Sequence, residues 1–122
     1  MSNGFEVITK GLWSQKTQKK FYLTKKLHCS SIYKPNYEYL NLFPNSSRYK
    51  VTKTIELDLE KLDDQINLSN QPHFIKLDIQ GAELEVLKGG SATISKVLGL
   101  EIEINFKEIY KGIPLAKDVE FF

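Results

Sequence analysis

Phe74-Ile75-Lys76-Leu77-Asp78-Ile79-Gln80-Gly81-Ala82-Glu83-Leu84-Glu85-Val86-Leu87-Lys88-Gly89-Gly90 changes its period midway, and that change sets the fold class. Phe74, Ile75, Leu77 and Ile79 make a short apolar run, the pattern of a strand buried on both faces. Asp78 interrupts the run near its end, and Gly81 lets the backbone turn. A helical pattern follows, with Glu83 and Glu85 early, Leu84 and Leu87 three apart, then Lys88 and a glycine stop at Gly89. Strand, acid, turn, helix is the layout of an α/β domain, in which ligands meet the carboxyl ends of parallel strands. Burying an acid there is costly unless it is paired or used.

Downstream, a short helix over 92–96 leads to a strand over 97–106. There Leu100, Ile102, Ile104 and Phe106 alternate with Glu101, Glu103 and Asn105. A helix between two strands predicts a right-handed parallel crossover, a βαβ core. Upstream, Asp58 offers an N-cap to a helix through Asn67 that shows Leu59, Leu62 and Ile66 on one stripe. A strand is expected over 49–57. Two more are expected over 5–8 and 21–24, paired as a hairpin across a polar, turn-like stretch from Trp13 to Lys20. Residues 27–47, with two prolines and several Ser and Asn, read as loop with one helical turn over 37–42. A helix-like pattern begins again at Asp118.

With 122 residues there is room for one domain, and 41% hydrophobic against 26% charged residues argues against disorder. No segment has the length and apolarity of a membrane span or signal peptide, so no membrane partner is expected. Cys29 is the single cysteine, which excludes an internal disulfide and suggests a reducing, cytoplasmic setting. His28 and His73 lack the spacing of a zinc site, and no metal site is assigned. Charge is uneven: residues 1–55 carry ten Lys/Arg against two Asp/Glu, a net +8, while 56–122 carry seven against thirteen, a net −6. Such asymmetry marks either a polyanion-binding face or a basic loop region beside an acidic half.

Ile75-Lys76-Leu77-Asp78-Ile79-Gln80-Gly81-Ala82-Glu83-Leu84-Glu85-Val86-Leu87-Lys88-Gly89 resembles the signature of the FkbM family of S-adenosylmethionine-dependent methyltransferases. Four further segments look like elements of that family: Leu62-Asp63-Asp64, Cys29-Ser30-Ser31-Ile32-Tyr33-Lys34-Pro35-Asn36, Glu101-Ile102-Glu103 and Ile109-Tyr110-Lys111-Gly112. The resemblance runs over nearly the whole chain and implies a partial Rossmann-like class I methyltransferase sheet with a parallel βαβ core. It also implies O-methyl transfer from S-adenosylmethionine to a hydroxyl of a sugar, polysaccharide or secondary metabolite. Such domains hold the cofactor on a first strand ending in a glycine-rich turn, since glycines let the backbone approach the ligand closely. The seven glycines here form no Gly-x-Gly. On this resemblance residues 1–122 are one partial domain lacking the N-terminal cofactor strand, a fragment or a decayed form. Alone it is expected to be inactive and to bind the cofactor weakly or not at all, with a companion chain as a possible source of the missing half.

Methylating a hydroxyl requires a base, or a metal that acidifies the oxygen, together with tight alignment. Asp78 and Glu103 are the candidate catalytic residues. Asp78 would serve as base, metal ligand or cofactor contact, or would simply cap the next helix. Glu103 either reaches the cleft or lies on a wet sheet face. The resemblance implies cofactor contacts for Asp63 and Asp78 and acceptor contacts for Ser30, Ser31 and Tyr33, although serine-rich loops are common plain turns. Glu83 serves the helix dipole or catalysis. Gln80 stands where relatives often carry Glu, and Cys29 reads as a small buried apolar residue. The metal requirement is left open. The alternative is a non-catalytic binding protein, in which Phe21, Tyr22, Tyr33, Tyr37, Tyr39 and Tyr49, interleaved with Lys19, Lys20, Lys25, Lys26, Lys34 and Arg48, would take single-stranded nucleic acid.

Overall fold

The computed structural model describes residues 4–120 and Phe122. The chain is a mixed α/β structure. Its strands are β1 (Gly11–Leu12), β2 (Thr17–Thr24), β3 (Val51–Glu60), β4 (Phe74–Leu77) and β5 (Gly99–Ile102). Among the described residues five short helices accompany them: α1 (Tyr37–Leu40), α2 (Leu62–Gln65), α3 (Glu83–Gly89), α4 (Ser91–Ile94) and α5 (Ala116–Glu120). Single 3₁₀ turns lie at Leu27–Cys29 and Ser46–Tyr49.

The strands form two sheets. In the first the order is β1-β3-β2, with β1 parallel and β2 antiparallel to β3. In the second, β4 and β5 run parallel, Ile75 opposite Leu100 and Leu77 opposite Ile102. The expected parallel βαβ unit is therefore present, with two short helices, α3 and α4, in its crossover. No helix of the described residues is long and apolar enough to cross a membrane.

The residues assigned to a helix from Asp58 instead continue β3 to Glu60. Ile55, Leu57 and Leu59 alternate with the more exposed Glu56 and Asp58, so period two competes with the helical stripe. It prevails because β3 lies between two partners, with Leu59 opposite both Gly11 and Thr17. Only Leu62–Gln65 turns helical. The expected strand over 5–8 is absent, and Phe5 and Val7 are exposed. The segment 21–24 thus pairs with β3 and not in that hairpin, and Thr17–Lys20, read as turn-like, opens β2. β5 stops at Ile102, four residues short of Phe106; α5 starts at Ala116, two residues ahead of the expected Asp118.

Two apolar clusters hold the fold. Leu62, Leu77, Val86 and Leu87 form one, with Leu12, Ile75, Ile94, Ile102 and Val119 packed around them. Trp13, Leu59 and Ala82 form the other, flanked by Ile32, Tyr33 and Leu57. Adjacent Leu12 and Trp13 enter different clusters and tie them together. Gly89, expected to act as a helix stop, remains within α3, where a Cβ would strike the Trp13 carbonyl oxygen. Close packing, not backbone freedom, calls for glycine there.

Candidate functional site

β4 does not bury both faces as its apolar run suggests. Leu77 is buried, but Phe74 is 58% exposed and Ile79 lies beyond the strand's end. Asp78 is exposed; the buried acid is Glu83, at 3%. The reason lies in the turn. Gln80 takes a left-handed φ of 56° and Gly81 a φ of 105°. This reversal directs the amides of Ile79 and Gly81 toward the Glu83 carboxylate, which accepts from them at 2.6 and 3.0 Å. A charged acceptor facing two backbone donors offsets its own desolvation.

Asp78 directly follows β4 and Glu103 directly follows β5, and the Glu103 amide extends the ladder by donating to the Leu77 carbonyl at 3.0 Å. Parallel register thus brings the two candidate catalytic acids side by side at the carboxyl ends of neighbouring strands. The Asp78 carboxyl lies within hydrogen-bonding reach of Glu103. That contact, burial, and the negative charges of Asp78 and Glu83 push the Glu103 carboxyl up to about 7. A carboxyl so placed exchanges its proton near neutral pH.

Gln80 joins this pair to the rest of the molecule. Its side-chain amide nitrogen lies 3.4 Å from Asp78 Oδ1, and its backbone carbonyl accepts from Ser31 Oγ at 2.6 Å. The Tyr110 hydroxyl donates to the Cys29 carbonyl at 2.7 Å and lies 3.2 Å from Gln80 Oε1. Tyr110 is completely buried, and burial, followed by nearby Tyr49 and Cys29, raises its pKa. Backbone bonds from Asn36 to Ile109 and from Lys111 to Lys34 lace residues 31–36 to 109–111. Two segments far apart in sequence therefore converge on one left-handed turn.

Of the expected acceptor residues, Ser31 and Tyr33 reach this turn. Ser31 is buried, its hydroxyl occupied by Gln80 and by the Tyr33 amide. Tyr33 packs against Trp13 with ring centroids 6.0 Å apart and lies close to Gly81. Burial, then the charges of Glu85 and Glu83, push its phenol up to about 12. Ser30 instead accepts from the Thr24 amide at 3.0 Å and braces the loop.

Asp63 stands apart from the acid pair. Its carboxylate accepts from the Ala92 amide and from both the amide and hydroxyl of Thr93, at 2.7–3.2 Å, capping α4. Burial opposes its ionisation, but the Thr93 and Ala92 bonds outweigh that and hold it below the usual carboxylate range. Any cofactor contact from Asp63 would compete with this cap. Cys29 is buried and burial raises its thiol pKa, as suits a packing residue. Among the described residues no three His, Cys, Asp or Glu side chains gather as a metal-ligand set.

Sequence reasoning passed over Gln80 and Tyr110 as site residues. The available signals were a non-glycine residue beside Gly81 in a tight reversal, and a lone tyrosine within a polar tail.

The Methyltransferase FkbM domain matches residues 9–122, and the chain belongs to that family. No curated protein and no solved structure gives a match.

Proposed function

We propose that the chain contributes the proton-handling part of an S-adenosylmethionine-dependent O-methyltransferase, with β4 and β5 belonging to a Rossmann-like sheet. S-Adenosylmethionine, the donor the family implies, supplies an electrophilic methyl group when bound. The acceptor is a hydroxyl on a sugar, polysaccharide or secondary metabolite. Its proton passes to the Glu103 carboxylate, with Asp78 beside it holding the transferred proton in a shared hydrogen bond. The observation that carries this reading is the pairing of the two carboxyls at parallel strand ends, with Glu103 near 7. Ser31 and Tyr110 act as positioning residues, through Gln80.

Five of the seven glycines are packed too closely to cradle a donor. Added Cβ atoms at Gly11, Gly81, Gly89, Gly90 and Gly99 would meet the chain's own Leu59, Ile113, Trp13, Leu62 and Phe74 respectively. Those close approaches are already taken by the protein, whereas Gly4 and Gly112 have open space beside them. A companion chain or further segment is proposed to hold the donor.

Two measurements test the reading. Calorimetric titration of the isolated chain with S-adenosylmethionine is expected to show affinity weaker than micromolar; micromolar binding would overturn the proposed division of labour. Transfer of labelled methyl to hydroxyl-bearing sugars is then assayed on tagged protein recovered from its own cells with whatever accompanies it. Glu103→Gln and Asp78→Asn should each lower that transfer by about 10²-fold or more, the usual contribution of a general base. Undiminished transfer by both variants removes the carboxyl pair from the mechanism.

A further inference from the structure

A groove of about 360 Å³ lies away from the acid pair, lined by Tyr22 of β2, Lys34, Pro35, Tyr37 of α1, Thr54 of β3 and Lys111. The main chains that carry its two cations are joined by the 2.7 Å bond from the Lys111 amide to the Lys34 carbonyl. Among the described residues the ion pairs involve Lys16 and Lys88, so Lys34 and Lys111 have no acidic partner, and no carboxylate lines the groove. Two uncompensated ammonium groups in a concave wall focus positive potential. The aromatic walls are held in place as well. The Tyr37 hydroxyl donates to the Tyr49 carbonyl at 3.0 Å and accepts from the Val51 amide at 3.1 Å.

We infer that this groove binds a small ring carrying an anionic group, of the class of phosphorylated or otherwise acidic sugars. The ring face of Tyr37, which is 38% exposed, packs against the sugar ring, and Lys34 and Lys111 take the anion. The volume lies at the small end of ligand sites, which span about 300 to 1,000 Å³, and suits a single ring. A nucleic-acid strand is disfavoured because stacking needs successive open aromatic faces. Here Lys19 sits over Trp13, Lys34 over Tyr22 and Arg48 over Tyr49, at 4.9, 5.9 and 5.2 Å from the ring centroids. The chain's own cations already cover those faces. The inference is independent of the methyl-transfer reading.

Amide NMR titrations with glucose 6-phosphate, glucose, inorganic phosphate and a ten-nucleotide oligothymidine test it. Glucose 6-phosphate should shift the amides of Lys34, Tyr37 and Lys111 saturably, and bind at least tenfold more tightly than glucose or phosphate. Raising sodium chloride from 20 to 200 mM should weaken that binding severalfold. The double variant Lys34→Ala/Lys111→Ala should weaken it about tenfold with the remaining amide spectrum unchanged. If this variant misfolds, the salt series on the unaltered protein decides instead. Failure of glucose 6-phosphate to shift these amides, salt-independent binding, an unaffected folded double variant, or tighter binding of the oligothymidine would each overturn the inference.

Discussion

Glu103 couples the candidate site to stability through one proton. Its folded value, about 7, lies above its ordinary 4.5, raised first by the Asp78 carboxyl and then by burial and the Asp78 and Glu83 charges. Between those limits the folded protein keeps a proton that the unfolded chain has released. The stability this confers is complete below about pH 4.5 and is lost as the pH rises through about 7. Asp63 acts in the opposite sense: held below 3.8, it stabilises above that pH and loses its contribution as the pH falls further. The thermal midpoint, followed by circular dichroism, should therefore decline between pH 4.5 and 7. Glu103→Gln should flatten that decline, and an unchanged pH profile would refute the assignment. Asp78 was recognisable as a candidate because it interrupts an apolar run near its end, and Glu103 because it alternates with apolar residues along a strand. Their adjacency was not, because it depends on register between strands separated by two helices.

At the scale of elements, the turn from Ile79 to Glu83 is held by a side chain and not by an ordinary helix cap. No side-chain cap bond is made by Ala82 at the start of α3; Glu83 reaches back to the Ile79 and Gly81 amides instead. Glu83→Ala would leave both amides without that acceptor, and hydrogen bonds to charged groups contribute about 1.5–3 kcal/mol each. Urea unfolding should show a loss of about 2–4 kcal/mol. Glu83→Gln, which keeps one acceptor oxygen, should lose less. A change below about 0.5 kcal/mol for the alanine variant would show that water serves these amides equally well. The early position of Glu83 suggested compensation of the helix dipole. Its burial and backward reach follow from two consecutive positive-φ residues, which a one-dimensional pattern does not specify. Likewise, the helical stripe from Leu59 and the strand alternation ending at Leu59 share residues, and only partners on both sides of β3 resolve the competition.

Across the whole molecule, the parallel sheet leaves apolar surface open. Phe74, Leu98 and Phe106 are 58%, 89% and 74% exposed, and β4 and β5 pair only with each other among the described strands. Open strand edges beside exposed apolar side chains favour association. Light scattering should show self-association that grows with protein concentration, and Phe74→Lys/Phe106→Lys should reduce it. A monomer at every concentration would show that these surfaces do not drive association. Sequence alone determined the α/β class, the parallel βαβ unit, the family and the placing of Asp78 near its strand's end, because these depend on periodicity and on residues adjacent in the chain. Tertiary structure decided that β2 pairs with β3, that Glu83 and not Asp78 is the buried acid, and that Ser31 and Tyr110 meet at Gln80. Those outcomes depend on register and on contacts between distant segments, where the energy of a position belongs to its neighbours in space.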